Sequence, residues 1–301
     1  LGAGEVRGLI AVLRNRCDLI NMSYGGSTGF PNHGRIIDLY RDIVNEHGVI
    51  FVASAGNSGP NLTTVGTPGG TTTEVIGVGA MLTPDMMRDQ YSFREPYDSL
   101  HYTWSSRGPA PDGDLGVDIS GPGGAVSPMP VWTLKRHALK NGTSMSSPNV
   151  CGSLALLCSG LKEQGRTWTP HLIRRAIVNT ARPVPGMDRF SLGAGLINVP
   201  AAWDWLAAHG DRDDADVRFA VRTSGRHAGR GIYLRESWEN DQVATVSVTI
   251  SPIFPRDADR RRQAEYEIPL RFESTADWID APQSMLLVHG GKRFDVQVDP
   301  T

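Results

Sequence analysis

Apolar positions along the first 210 residues fall into two alternating rhythms. Val6, Leu9, Ile10 and Leu13 recur at three and four within residues 5–16, the spacing of one helix face. "CDLINMS" (17–23) then predicts a buried strand ending in a glycine turn. Ile36, Ile37, Tyr40, Ile43 and Val44 restore the helical spacing over 34–47, and "GVIFVASAG" (48–56) and "TEVIGVGA" (73–80) are near-continuous apolar strands. Strands apolar on both faces that alternate with helices predict a parallel sheet covered on both sides. Residues from about 81 to 141 are dense in Gly, Pro and Asp and read as a loop-rich region. A long apolar helix follows Ser144, with Pro148 in its first turn; another spans 170–181, with Pro170 near its start. "GAGLINVPAAWDWL" (193–206) predicts a short strand leading into a last helix.

The rhythm changes after the charged stretch "HGDRDDAD". "ATVSVTI", "YEIPLRF", "SMLLVHG" and "RFDVQV" alternate with period two between turn residues, which predicts an antiparallel β-sandwich module. The expected architecture is α/β: a parallel sheet covered by helices over residues 1–210, then a β-sandwich-type module over 211–301. The chain opens on Leu1 and stops at "VDPT", so it reads as a piece cut from a longer chain at both ends.

Composition narrows the function classes. A net charge of −2 gives no reason to expect nucleic acid or an anionic membrane as partner, and no apolar run reaches bilayer length. Cys17, Cys151 and Cys158 lie at no regular spacing on segments expected to be buried, which predicts free core thiols in a reducing compartment. The sequons at Asn21, Asn61 and Asn141 each sit in a segment with another explanation. "PDGDLG" (111–116) reads as a solvated turn and Arg260-Arg261-Arg262 as a solvated loop. No metal or cofactor motif is present, and none is expected.

The chemistry concentrates in "KNGTSMSSPNV" (140–150). A serine hydroxyl becomes a nucleophile when a base takes its proton and donors receive the oxyanion. A helix N-terminus behind glycine supplies close backbone access and free N–H groups. Ser144 sits at that turn, with Ser146 and Ser147 just inside the helix. An ordinary serine or threonine N-cap explains such a segment equally well taken alone.

The pattern Gly-Thr-Ser-Met-Ser-x-Pro is narrower than a cap and resembles that of the subtilisin-like serine peptidases. "FVASAGNSGP" (51–60), "INMSYGG" (20–26), "DISGPGG" (118–124) and "GAGLINVPAA" (193–202) resemble other landmarks of that family, in its order. A narrower resemblance, to the tripeptidyl peptidase II branch, is carried by "PGGTTTEVIGVGAMLTPDMM", "YTWSSRGP", "VWTLK", "NGTSMSSPNVCG" and "GIYLR". The resemblance implies Ser144 as nucleophile and Asn57 as the oxyanion-hole amide. A peptide substrate would lie as an added strand along Ser23-Tyr24-Gly25 and Ser54-Ala55-Gly56. It implies tripeptide release by a cytoplasmic homo-oligomer without cofactors. One family carboxylate that holds the substrate's amino group directly follows Ser-Tyr-Gly, where this chain has Gly26. The family's Asp and His precede the serine and are expected upstream, so the 301 residues alone are expected to be inactive. His33, His101 and His137 fall at no family position and are expected on the surface. The competing class is a catalytically silent scaffold whose β module binds a partner.

Overall fold

The computed structural model describes residues 2–211, 217–224, 229–255 and 258–300. Most of the charged stretch, residues 212–216, lies outside them. The contacts divide the chain into two units: Leu1–Pro111 with Leu115–Asp211, and Asp112–Asp114 with Arg212–Thr301.

In the first unit the chain runs α1 (Ala3–Arg14), β1 (Leu19–Met22), α2 (Arg35–Asn45), β2 (Ile50–Ser54), β3 (Ile76–Leu82), α3 (Pro84–Tyr91), β4 (Leu100–His101) and β5 (Ile119–Pro122). There follow a hairpin, β6 (Gly124–Pro128) and β7 (His137–Asn141), then α4 (Thr143–Glu163), α5 (Pro170–Thr180), α6 (Arg189–Leu192) and α7 (Val199–His209). β1, β2, β3 and β5 are parallel neighbours in that order, and β4 adds to β3 antiparallel. β2 is buried along its whole length, as a central strand with both faces covered must be. Ile37, Tyr40, Ile43 and Val44 of α2 form one core with Leu9, Val49, Phe51, Ala53 and Val75, where Tyr40 meets Phe51 edge to face at 5.0 Å. α4 packs against β1, β2, β3 and β5 and buries Val150, Leu154, Leu157, Cys158 and Leu161.

Two devices pin the strand starts. The Asp118 carboxylate pairs with Arg174 and accepts the Gly77 N–H at 2.7 Å, tying β3 to the residue before β5. Gly77 also lies so close to the 66–72 turn that a Cβ there would fall 1.8 Å from the Gly69 carbonyl oxygen.

Several expectations are corrected. Among the described residues β1 pairs only with β2, and it is half-buried rather than buried. In α1, Leu9 is buried but Val6 and Ile10 are exposed, so only part of the predicted face meets the core. The 81–141 segment holds α3, β5 and the β6–β7 hairpin rather than loops alone. Before α7, Leu196 makes only single bridges to Ser120 and Arg182. Pro148 sits in the second turn of α4, because the helix already begins at Thr143. Cys17 is exposed and Cys151 half-buried; Cys158 alone is buried, which pushes its thiol up to about 12. His101 is buried, not on the surface.

The second unit contains β8 (Arg218–Thr223), β9 (Ala244–Ile253), α8 (Arg260–Ala264), β10 (Glu267–Arg271), β11 (Ile279–Asp280), β12 (Ser284–Val288) and β13 (Lys292–Val298). One antiparallel sheet has the order β11-β13-β9-β8, and β10 pairs with β12. β12 packs on β9 and β13, which stacks the two sheets. Along β13, Phe294, Val296 and Val298 point inward while Asp295 and Gln297 are exposed, the period-two signature of a strand with one wet face. The basic run expected as a loop is the short helix α8, capped by Asp259 and exposed. Among the described residues no helix is long and apolar enough to cross a membrane.

His101 generates a prediction. Burial, reinforced by Arg107, pushes its imidazolium from the ordinary 6.5 down to about 4. The unfolded chain therefore binds a proton that the folded chain refuses across that window. The neutral ring's contribution is intact above pH 6.5 and is lost as pH falls towards 4. Denaturant midpoints should fall across this range in the native chain and fall less steeply in His101→Leu. Equal slopes would contradict the burial argument.

Candidate active site

The N-terminus of α4 is held from three directions. The Gly142 N–H donates to the Gly123 carbonyl at 2.9 Å, fixing the turn to the exit of β5. Thr143 is fully buried, and both its N–H (3.0 Å) and its hydroxyl (2.8 Å) donate to Asn57 Oδ1. Ser146 and Ser147 are also fully buried, their hydroxyls donating to the Gly121 carbonyl (3.1 Å) and Asn21 Oδ1 (2.6 Å). Ser144 is different. It is only half-buried, and its hydroxyl makes a single long contact, 3.3 Å, to the Ser23 carbonyl. Of the serines in the motif it is the one both reachable and weakly committed.

Asn57 follows β2 on a turn entered through Gly56, whose φ of +114° lies in the region that favours glycine. Ser106, fully buried, pins that turn: its N–H donates to the Gly56 carbonyl at 2.9 Å and its hydroxyl accepts the Ser58 N–H at 3.0 Å. Because Thr143 occupies Oδ1 twice, the Asn57 amide can turn only its Nδ2 donor outward. A side chain on Gly142 would place its Cβ 3.5 Å from both the Met145 Sδ and the Ser144 nitrogen and 3.6 Å from Asn57 Nδ2. The missing Cβ thus leaves a position bordered by two N–H donors and the Met145 sulfur. Such a position at a helix N-terminus suits an oxyanion. Among the described residues the Ser144 N–H has no protein acceptor.

The predicted substrate edge divides. Past the end of β1, which lies at the edge of the sheet among the described residues, come Ser23, Tyr24 and Gly25, with Tyr24 63% exposed. Gly25 must lack a side chain, since a Cβ would fall 2.3 Å from the Thr67 carbonyl oxygen. Gly26 exchanges two backbone hydrogen bonds with Thr67, yet a Cβ on it would meet nothing within 4 Å. Ser54 and Ala55 are buried, and the Ala55 N–H and carbonyl are committed to Val78 and Gly66 at 2.9 and 2.8 Å. Gly56 gives its carbonyl to Ser106. Of the Ser54–Gly56 segment expected as a second pairing edge, the Ala55 N–H and carbonyl and the Gly56 carbonyl are thus already paired within the fold.

Sequence reasoning missed Ser106 and Thr143, which aim Asn57. The only signal for them was their place in "YTWSSRGP" and "NGTSMSSP". No described histidine is hydrogen-bonded to Ser144. His33 is exposed, with Nδ1 2.6 Å from the Pro31 carbonyl; His137 is exposed on β7, and His101 is buried beside Tyr102. Among the described residues no group of His, Cys, Asp and Glu could hold a metal.

Comparison with known proteins adds to this geometry. Residues 217–301 match the family described as "Tripeptidyl-peptidase II, first Ig-like domain". Tripeptidyl-peptidase 2 of Arabidopsis thaliana is 46% identical over 307 residues, covering 100% of this chain and 22% of the relative. The protein of the same name from Oryza sativa subsp. japonica is 42% identical, covering 99% and 22%. A crystal structure of tripeptidyl peptidase 2 (TPP II) superposes with a TM-score of 0.77 at 37% identity, covering 98% of this chain and 22% of that one. The chain thus spans about a fifth of the length of the curated relatives it matches. Residues 2–195, well over half of the chain, match the family described as "Subtilase family": the chain belongs to the subtilases.

Proposed function

We propose that this chain carries the nucleophile and oxyanion hole of a serine peptidase that releases tripeptides from the amino end of peptides. The observation that carries the reading is the space between the Ser144 N–H and Asn57 Nδ2, beside a weakly committed hydroxyl. A substrate would extend along Ser23, Tyr24 and Gly25 with its scissile carbonyl oxygen in that space. Ser144 Oγ forms a bond to the carbonyl carbon, and the carbonyl's electron pair moves onto oxygen, where the two donors receive it. A histidine outside the described residues takes the Oγ proton and returns it to the departing amine. Water then repeats the sequence on the acyl-enzyme. The half-buried, weakly committed Ser144 hydroxyl and the Asn57 amide held by Thr143 support an enzyme over a silent scaffold, which needs neither. The names of the relatives support tripeptide release. Free cysteines support a reducing, cytoplasmic setting, and a homo-oligomer rests on the family resemblance alone.

Gly26 favours a second reading, an endopeptidase. The position where the resemblance calls for a carboxylate supplies no charge, and the space beside it is open.

Three outcomes test these readings. In the full-length protein, Ser144→Ala should abolish hydrolysis. Asn57→Asp, which keeps the acceptor for Thr143 but loses the donor, should lower kcat by about 10²–10³, a scale taken from loss of such a donor in a subtilisin. Full activity in either variant would refute the assignment.

The 301-residue chain alone should resist a fluorophosphonate probe that labels the full-length protein at Ser144. Labelling of the isolated chain would mean that a base lies within it.

Free-amino peptides should be cleaved about 10-fold better than amino-blocked ones, the worth of one charge-assisted hydrogen bond. Gly26→Glu should widen that ratio. Equal cleavage of both substrates would establish the endopeptidase reading instead.

A further inference from the structure

Pro148 creates a vacancy next to the proposed nucleophile. In an α-helix the N–H of residue i donates to the carbonyl of residue i−4, and proline has no N–H. In α4 the carbonyl deprived of its helix partner is that of Ser144 itself. A side chain from another element fills the vacancy: Ser23 Oγ donates to the Ser144 carbonyl at 2.9 Å.

The contact is reciprocal, since Ser144 Oγ donates back to the Ser23 carbonyl at 3.3 Å. Ser23 is itself oriented. Asn21 Nδ2 donates to Ser23 Oγ at 3.1 Å, which occupies a lone pair and leaves the single hydroxyl proton for Ser144. Asn21 is in turn fixed by the buried Ser147 hydroxyl on its Oδ1 at 2.6 Å. The relay runs from Ser147 through Asn21 and Ser23 to Ser144, and the backbone of α4 closes it into a ring. Asn21 and Ser23 are the two ends of the Asn21-Met-Ser sequon that sequence reading had set aside.

We propose that the Ser23 hydroxyl is a positioning group for Ser144, standing in for the helix N–H that Pro148 removes. This rests on the reading of Ser144 as the nucleophile. The two peptide groups flanking Ser144 have different tasks. Its N–H borders the oxyanion space, and its carbonyl is the handle by which the substrate edge holds the residue. Rotation of that carbonyl towards solvent would swing Oγ away from the scissile carbon, and small displacements at that distance are costly in rate. Because a peptide pairs with the backbone of residues 23–25, the same segment that seats substrate also aims the nucleophile. Ser23 is a positioning residue, acting through Ser144 and not on the substrate's reacting atoms.

The test is a rescue in the full-length protein. Ser23→Ala should lower kcat about 10-fold with KM changed less than about 2-fold, since the backbone that pairs with substrate is retained and one positioning hydrogen bond is lost. Pro148→Ala restores a helix N–H to the Ser144 carbonyl. The double variant should therefore recover to within about 3-fold of Pro148→Ala alone, a non-additive cycle. Ser23→Thr, which keeps the hydroxyl, should also retain most of kcat. Thermal melting establishes that each variant is folded; if Ser23→Ala is not, Ser23→Cys, a weaker donor, takes its place in the same cycle. Independent, multiplicative effects of the two substitutions, or a Ser23 effect on KM alone, would overturn the proposal while leaving the nucleophile assignment standing. Activity surviving in Ser144→Ala would overturn that assignment itself.

Discussion

The burial of α4 against four parallel strands is the constraint on which the rest depends. Its apolar stripe, Val150, Leu154, Leu157, Cys158 and Leu161, fixes the helix rotation and depth. Its first residue, Thr143, is thereby sunk completely into the protein. Parallel strands all finish at one end of a sheet, so the chain leaving β1, β2 and β5 arrives where α4 begins. Each exit contributes one part: Ser23 from β1, Asn57 from β2 and the Gly123 carbonyl from β5. The site is a consequence of helix burial before it is a set of side chains.

Polar satisfaction supplies the precision that apolar packing cannot. A buried helix start leaves N–H groups that must find acceptors. Asn57 answers Thr143, and in doing so loses any freedom to rotate its amide. Ser106 performs the same service one step further out by holding the turn beneath Asn57. These are neutral hydrogen bonds, each modest, but they form a closed set in which no member can reorient alone.

The elements legible in the sequence were those that bury long apolar side chains: α2, β2, β3, α5 and the alternating strands of the second unit. Their periodicity follows directly from the geometry of what they pack on. β5 escaped notice because it is Ile-Ser-Gly-Pro, a strand buried through backbone approach and not through apolar bulk. His101 was placed on the surface because a lone histidine in a glycine-rich stretch carries no sign of burial. Ser144 and Asn57 were singled out by the family resemblance, and the fold brings the Asn57 amide to the first residue of α4. The hydroxyl of Ser23 was not singled out, since its partner is a carbonyl that becomes available only once Pro148 is known to lie in the second turn. Likewise, Ser54, Ala55 and Gly56 looked free until their backbone partners, set by distant segments, were in place.

The close approach of glycine backbones beside the site bears on how this protein could evolve. A Cβ on Gly69 would fall 2.3 Å from the Ser54 carbonyl oxygen, and one on Gly66 would fall 2.8 Å from that of Gly26. At Gly66 and Gly69 main chain packs on main chain, which leaves no room for an added side chain. A side chain added at these glycines would have to displace backbone, whereas the exposed Tyr24 is under no such constraint. A region that resembles a tolerant loop in composition is, in mutational terms, as conservative as a hydrophobic core.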